Sequence, residues 1–373
     1  MNKLRSKIAL AKVAIALSLT TGALAACGGG NGGNDSSSSP PQSSQPFVSL
    51  FAGQIDKPGS AGGAAASAQF VAPYGMVSDS AGNIYVADNG GYTISKISNG
   101  VVTSLAGSPN QQGSADGVGA AASFEGPLEM AVDPSGNLYV TDSVANSDAQ
   151  VIRKITPSGQ VSTIIDPATG QALLTDDSPG IAVDAQSNVY VFTTNATNGA
   201  SQLTQITPSG AINVVTLENA SGAPIGLVNP QYLVIDASNN FYISDDDVAG
   251  AAGALYRVSV SGATGKAALM AGSVTATGTN DGPGNTATFD GLANLAIDGA
   301  GNIFANDFGS GTIREISSAG VVTTAAGISG QSSLALGTLP QSLPVIDALL
   351  MIGQTLYVSA PNDSVVLQIS PLA

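Results

Sequence analysis

The side chains best suited to chemistry in this 373-residue chain are carboxylates that recur at one place in a repeated phrase. "GNIYVADN" (82–89) returns as "GNLYVTDS" at 136, "SNVYVFTT" at 187, "NNFYISDD" at 239 and "GNIFANDF" at 301. Asp88, Asp142, Asp245 and Asp307 end the phrase in four copies, with Asn89, Asp246 and Asp247 beside them and Asn362 and Asp363 in the matching region near the end. Oxygen donors of this kind suit a hard divalent cation or a cationic ligand gathered on an acidic rim. The same residues have a local use, in which each carboxylate accepts backbone N–H bonds within its own loop.

What is missing narrows the chemistry. There is no His, and Cys27 is the single Cys, so neither a zinc site built on His or Cys nor a Ser-His-Asp triad can form. No catalytic residue is assigned. "DDDVAG" (245–250) has Ala249 where a calcium loop needs oxygen and Tyr256 where an EF-hand needs Glu. An EF-hand is excluded, and a weaker oxygen-only calcium site stays open. "ADGVGAAASF" (115–124) and "NDGPGNTATF" (280–289) carry glycines without a Walker Lys or a Rossmann setting, so they read as turns, with Phe124 and Phe289 plugging between neighbouring units.

The elements that position these residues follow from the period. The aromatics Tyr85, Tyr139, Tyr190, Tyr242, Phe304 and Tyr357 are separated by 54, 51, 52, 62 and 53 residues, which is the spacing of a propeller or array of six units. In the second unit "LEMAVD", "LYVTD", "VIRKI" and "QVSTII" are apolar or β-branched runs parted by "PSGN", a polar loop and "TPSG", the pattern of four short antiparallel strands. The acids are 22 Asp against four Glu, which favours turns over helices. The first Asp of each unit (Asp79, Asp133, Asp184, Asp236, Asp298) caps the turn before the phrase. "VSLFAG" (48–53) has the wording of an outermost fourth strand, and the sixth unit ends without one, so the start of the domain is expected to close the ring.

The phrases "GN-[IL]-Y-V-x-D", "I-[RS]-K-I", "GxVxT" and "DGxGxxAxF" resemble the NHL repeat over residues 47–373. This resemblance implies an all-β, six-bladed β-propeller of four-stranded antiparallel blades. It is weak in unit three, where Thr193 replaces the strand-ending Asp, and in unit six, where Met351 replaces the turn Asp. Related lyases use His and do not carry over. Lactonases of the related six-bladed type hold calcium through Glu, Asn and Asp, and remain an alternative on residue types alone.

Residues 1–26 combine Lys3, Arg5, Lys7 and Lys12 with a short apolar run, the pattern of a secretory signal peptide. "LAAC" resembles the bacterial lipobox, which implies lipidation of Cys27; Gly28 after it points to the outer membrane. Residues 27–46 are then a lipidated Cys followed by a Gly/Ser/Pro tether. Beyond the signal, seven bases face 26 acids, a formal charge of −19, which disfavours nucleic acid and anionic headgroups. The sequence is therefore read as a monomeric, lipid-anchored envelope protein that binds a protein, peptide or glycan without catalysis. A calcium-dependent hydrolase or lactonase at the channel mouth is the alternative.

Overall fold

Strand content follows the turn-rich wording closely. The computed structural model describes residues 45–177, 180–246 and 252–372, and residues Gln45–Ala373 form one compact unit. The signal, Cys27 and the tether up to residue 44 lie outside the described residues, as does Asp247. Among the described residues the only helical turns are Gly119–Ala121 and Pro361–Asp363, both 3₁₀, and no helix is long and apolar enough to cross a membrane.

The architecture is all-β in a propeller arrangement. Unit one runs Pro73–Ser78, Ile84–Asp88, Thr93–Ser98 and Val101–Gly107, each strand antiparallel to the one before it. The corresponding inner strands are Pro127–Val132, Ile181–Val183, Pro230–Ile235, Leu292–Ile297 and Leu349–Ile352. Phe47–Gly53 lies antiparallel to Val365–Ser370 and completes the sheet of unit six. Gly53 ends that strand at φ +97°, where a Cβ would stand 2.7 Å from the Ser364 carbonyl oxygen, so the "AG" of the repeat is a steric requirement there.

Two details depart from six separate four-stranded blades. Four units have sheets of their own, each gaining a short strand from the loop that precedes it (Gly63–Ala64, Gly117–Val118, Gly282–Pro283 and Gly337–Thr338); that of unit two gains a sixth, Leu174–Thr175, beside a two-stranded sheet of Ile165–Asp166 and Gln171–Ala172. Units three and four instead share one eight-stranded sheet, through parallel pairing of Thr216–Glu218 with Thr264–Lys266. The physical reason is local. Unit four has a long hairpin, Gly253–Ser261 and Thr264–Gly272, whose outer strand reaches its neighbour, and Lys266 Nζ meets Glu218 Oε2 at 2.7 Å.

Cohesion comes from apolar clusters that bridge consecutive units. Phe124 is fully buried among Tyr85, Ala87 and Ile94 of unit one and Met130, Leu138 and Val140 of unit two. Ala348 and Val366 of unit six pack with Met76 and Ile84 of unit one in the same way. Because Phe124 fills a seam between two sheets, Phe124→Ala leaves a cavity that neither sheet can close, and is expected to cost about 3–5 kcal/mol, read as a lower midpoint in denaturant unfolding with unchanged far-UV circular dichroism.

Candidate functional site

The strand-ending carboxylates point into the loops that cross from one unit to the next. Asp88 Oδ1 accepts the N–H groups of Val71 at 3.0 Å and Ala72 at 2.8 Å, and Asp245 Oδ1 does the same for Val228 at 3.0 Å and Asn229 at 2.8 Å. Asp142 accepts the Gly126 N–H at 2.9 Å, and Asp307 that of Asp290 at 2.9 Å. All four side chains are buried. Burial raises each carboxyl above its ordinary range, opposed by these N–H bonds, and Asp142 is pushed up to about 6.

Their neighbours also work as connectors. Asn89 donates from Nδ2 to the Pro127 carbonyl of unit two at 3.2 Å, and Asp246 accepts the Leu292 N–H of unit five at 2.9 Å. Asn362 is exposed, whereas Asp363 is half-buried, and burial together with the nearby Asp56 raises its carboxyl. Among the described residues, no three His, Cys, Asp or Glu side chains gather closely enough to hold a metal ion.

Two arginines missed in the sequence reading complete the loop anchors. Arg153 Nη1 meets Asp142 Oδ2 at 2.9 Å, and its Nη2 meets Asp116 Oδ1 at 3.0 Å and the Ala115 carbonyl at 3.0 Å. The guanidinium lies 5.2 Å from the centre of the Phe124 ring. Arg314 repeats the arrangement with Asp307 at 2.7 Å, Asp281 at 2.6 Å and Phe289 at 5.2 Å. The signal was legible: Arg follows the Asp-Gly loop only in units two and five, the two that contain both parts.

A different polar group stands among the inner strands. The inner strands of all six units line a cavity of about 400 Å³. Glu129 is the only charged side chain in that lining. Its Oε1 accepts the Asn294 Nδ2–H of unit five at 3.2 Å, a contact between residues 165 positions apart, and Asn294 Oδ1 accepts the Leu349 N–H of unit six at 2.9 Å. Glu129 and Asn294 are 7% and 3% exposed. Asp88, Asp142, Asp245, Asp246, Asp307, Asn362 and Asp363 are not among the residues lining this cavity. Polar residues inside otherwise apolar strands, "LEMAV" and "LANLAI", were the available clue to the axial pair.

No protein-family model matches the chain, and no curated protein matches it. Among solved structures, an auxiliary nutrient binding protein from Bacteroides thetaiotaomicron VPI-5482 is similar over 88% of this chain and 77% of its own, at 13% identity and a TM-score of 0.66. One from Bacteroides ovatus ATCC 8483 covers the same shares at 17% identity and 0.64. A gluconolactonase from Xanthomonas campestris covers 82% of this chain and 87% of its own, at 14% identity and 0.52. The shared fold is a β-propeller.

Two outcomes follow from the anchors. Arg153→Met leaves Asp142 buried beside an empty partner position and is expected to cost about 3–5 kcal/mol of stability. The four raised carboxyls bind protons more tightly in the folded than in the unfolded chain, whose value is near 3.8. Their contribution is thus fully present below about pH 4 and is lost as pH rises through the folded values, about 6 for Asp142. Self-repulsion of the acidic chain acts in the same direction. The melting temperature is expected to fall between pH 4.5 and 7.5, and a scanning calorimetry series checks it.

Proposed function

We propose that the chain is a non-catalytic ligand-binding β-propeller of the bacterial cell envelope, with its binding site at the axial mouth marked by Glu129 and Asn294. The observation that carries this reading is the buried hydrogen bond between them at 3.2 Å, which brings units two and five together at the edge of a cavity of about 400 Å³. A cavity of that size, with Ser78, Glu129, Tyr232 and Asn294 among its lining, suits one small ligand or the end of a larger one. The partner is a protein, peptide or glycan, and a preorganised ring lowers the ordering cost of holding it.

The reading takes the eight-stranded sheet as two blades joined at their outer edges, which gives six, and Phe47–Gly53 as the strand that closes the ring. The pairing of that strand with Val365–Ser370 and the cluster linking units six and one support closure. Lipidation of Cys27, with residues 28–46 as tether, places the ring at the membrane. The likeness to nutrient binding proteins agrees with a binding role.

A calcium-dependent lactonase is the second reading, favoured by the Glu and Asn at the mouth and by the gluconolactonase likeness. Against it, Asn294 turns its amide hydrogens toward Glu129 and its oxygen toward Leu349, the wrong sense for a cation beside the carboxylate. The two readings separate on a glycan and peptide array probed with the full chain in calcium and in chelator. Binding retained in both conditions, and reduced at least tenfold by Asn294→Ala, is the expected result. Chelator-sensitive hydrolysis of a lactone, abolished by Glu129→Gln, would replace the first reading with the second.

A further inference from the structure

The turn after each inner strand is built alike in the first four units. The Asp that opens it receives a hydroxyl on Oδ2 from the Tyr six residues on: Tyr85 to Asp79 at 3.0 Å, Tyr139 to Asp133 at 3.4 Å, Tyr190 to Asp184 at 3.1 Å and Tyr242 to Asp236 at 3.3 Å. Opposite that Tyr across the strand pair stands a base in units one, two and four: Lys96, Lys154 and Arg257. Both lysine ammonium groups lie 5.4 Å from the centre of the Tyr ring they face.

Unit five breaks both rules together. Phe304 takes the place of the Tyr, and Glu315 takes the place of the base opposite it. Asp298 Oδ1 still accepts Ala300 N–H and Asn302 N–H at 2.8 Å each, and Oδ2 the Asn302 amide at 2.9 Å, but among the described residues no side-chain hydroxyl reaches it. Asp298 opens on a cavity of about 250 Å³ between units five and six, lined also by Asn302, Phe304, Met351, Gln354 and Leu372. Met351 stands where unit six lacks its own turn Asp. Glu315 does not itself line the cavity; burial and the charge of Asp298 raise its carboxyl.

We propose that this cavity binds a ligand-borne ammonium group: an N–H replaces the missing tyrosine hydroxyl at Asp298 Oδ2, the charge stands in for the base that units one, two and four carry opposite the aromatic, and an aliphatic stem lies along Phe304, Met351 and Leu372. A bare metal ion suits the place poorly. Asn302 offers amide hydrogens toward Asp298 and has its oxygen engaged by the Ser318 N–H at 3.3 Å, leaving fewer oxygen donors than the six to eight calcium takes. The ammonium can come from a free alkylamine or from a lysine side chain of a partner. This site is separate from the axial mouth, and the inference does not rest on the reading given for it.

The test is calorimetric titration of the full chain with n-pentylamine, Nα-acetyl-lysine methylamide, n-pentanol and calcium chloride. Expected is saturable binding of an amine, with Phe304→Tyr and Glu315→Lys each weakening it at least tenfold, and pentanol and calcium neither binding there nor competing. Binding of pentylamine alone assigns a free amine, and binding of the lysine derivative assigns a lysine-bearing partner. Phe304→Tyr installs the residue of the sibling units, so its melting temperature is expected to hold. No amine binding, equal binding in Phe304→Tyr, equal binding of pentanol, or competition by calcium would overturn the proposal.

Discussion

Where the chain crosses from an outer strand into the inner strand of units one, two, four and five, it buries backbone N–H groups that no β ladder reaches. Leaving such donors unpaired is costly, so the crossing needs an acceptor carried by the sheet itself. The Asp at the end of the second strand supplies it, to Val71 and Ala72, to Gly126, to Val228 and Asn229, and to Asp290. The fixed position of this Asp in the phrase thus follows from the geometry of the crossover. The price of burying a carboxylate there is reduced in units two and five by Arg153 and Arg314, which also hold the Asp-Gly loop and cover the plugging Phe.

Much of this was readable in the residues. The period near fifty, the Gly and Asn turns and the excess of Asp over Glu place the strands, and the seventeen-residue spacing from "AG" to Phe70, Phe124 and Phe289 anticipates where the seam plugs fall. Local hydrogen bonds of the turn-opening Asp residues were legible for the same reason, since both partners lie within six positions. The join of units three and four was not, because it depends on how far one long hairpin reaches sideways. Nor was the axial pair: Glu129 and Asn294 are brought together only by the arrangement of whole units, and neither belongs to the repeated phrase.

Departures from repetition then become the informative positions. A side chain present in every unit is explained by what every unit must do. Glu129 and Asn294 interrupt apolar inner strands, and Phe304 with Glu315 removes a hydroxyl and reverses a charge where units one, two and four agree. Glu129 and Asn294 line a cavity among the inner strands, and Phe304 lines one between units five and six. Function in this protein is accordingly sought where the copies differ, on a scaffold whose shared acids are already committed to its own backbone.

Amide hydrogen exchange at Val71, Ala72, Val228 and Asn229, followed with calcium and with chelator, tests that commitment most directly. The account predicts strong protection of all four amides, equal in both conditions, because Asp88 and Asp245 are held by the loops at all times. Rapid exchange without calcium, or protection that appears only when calcium is added, would show these carboxylates free to serve as a cation rim and would contradict it.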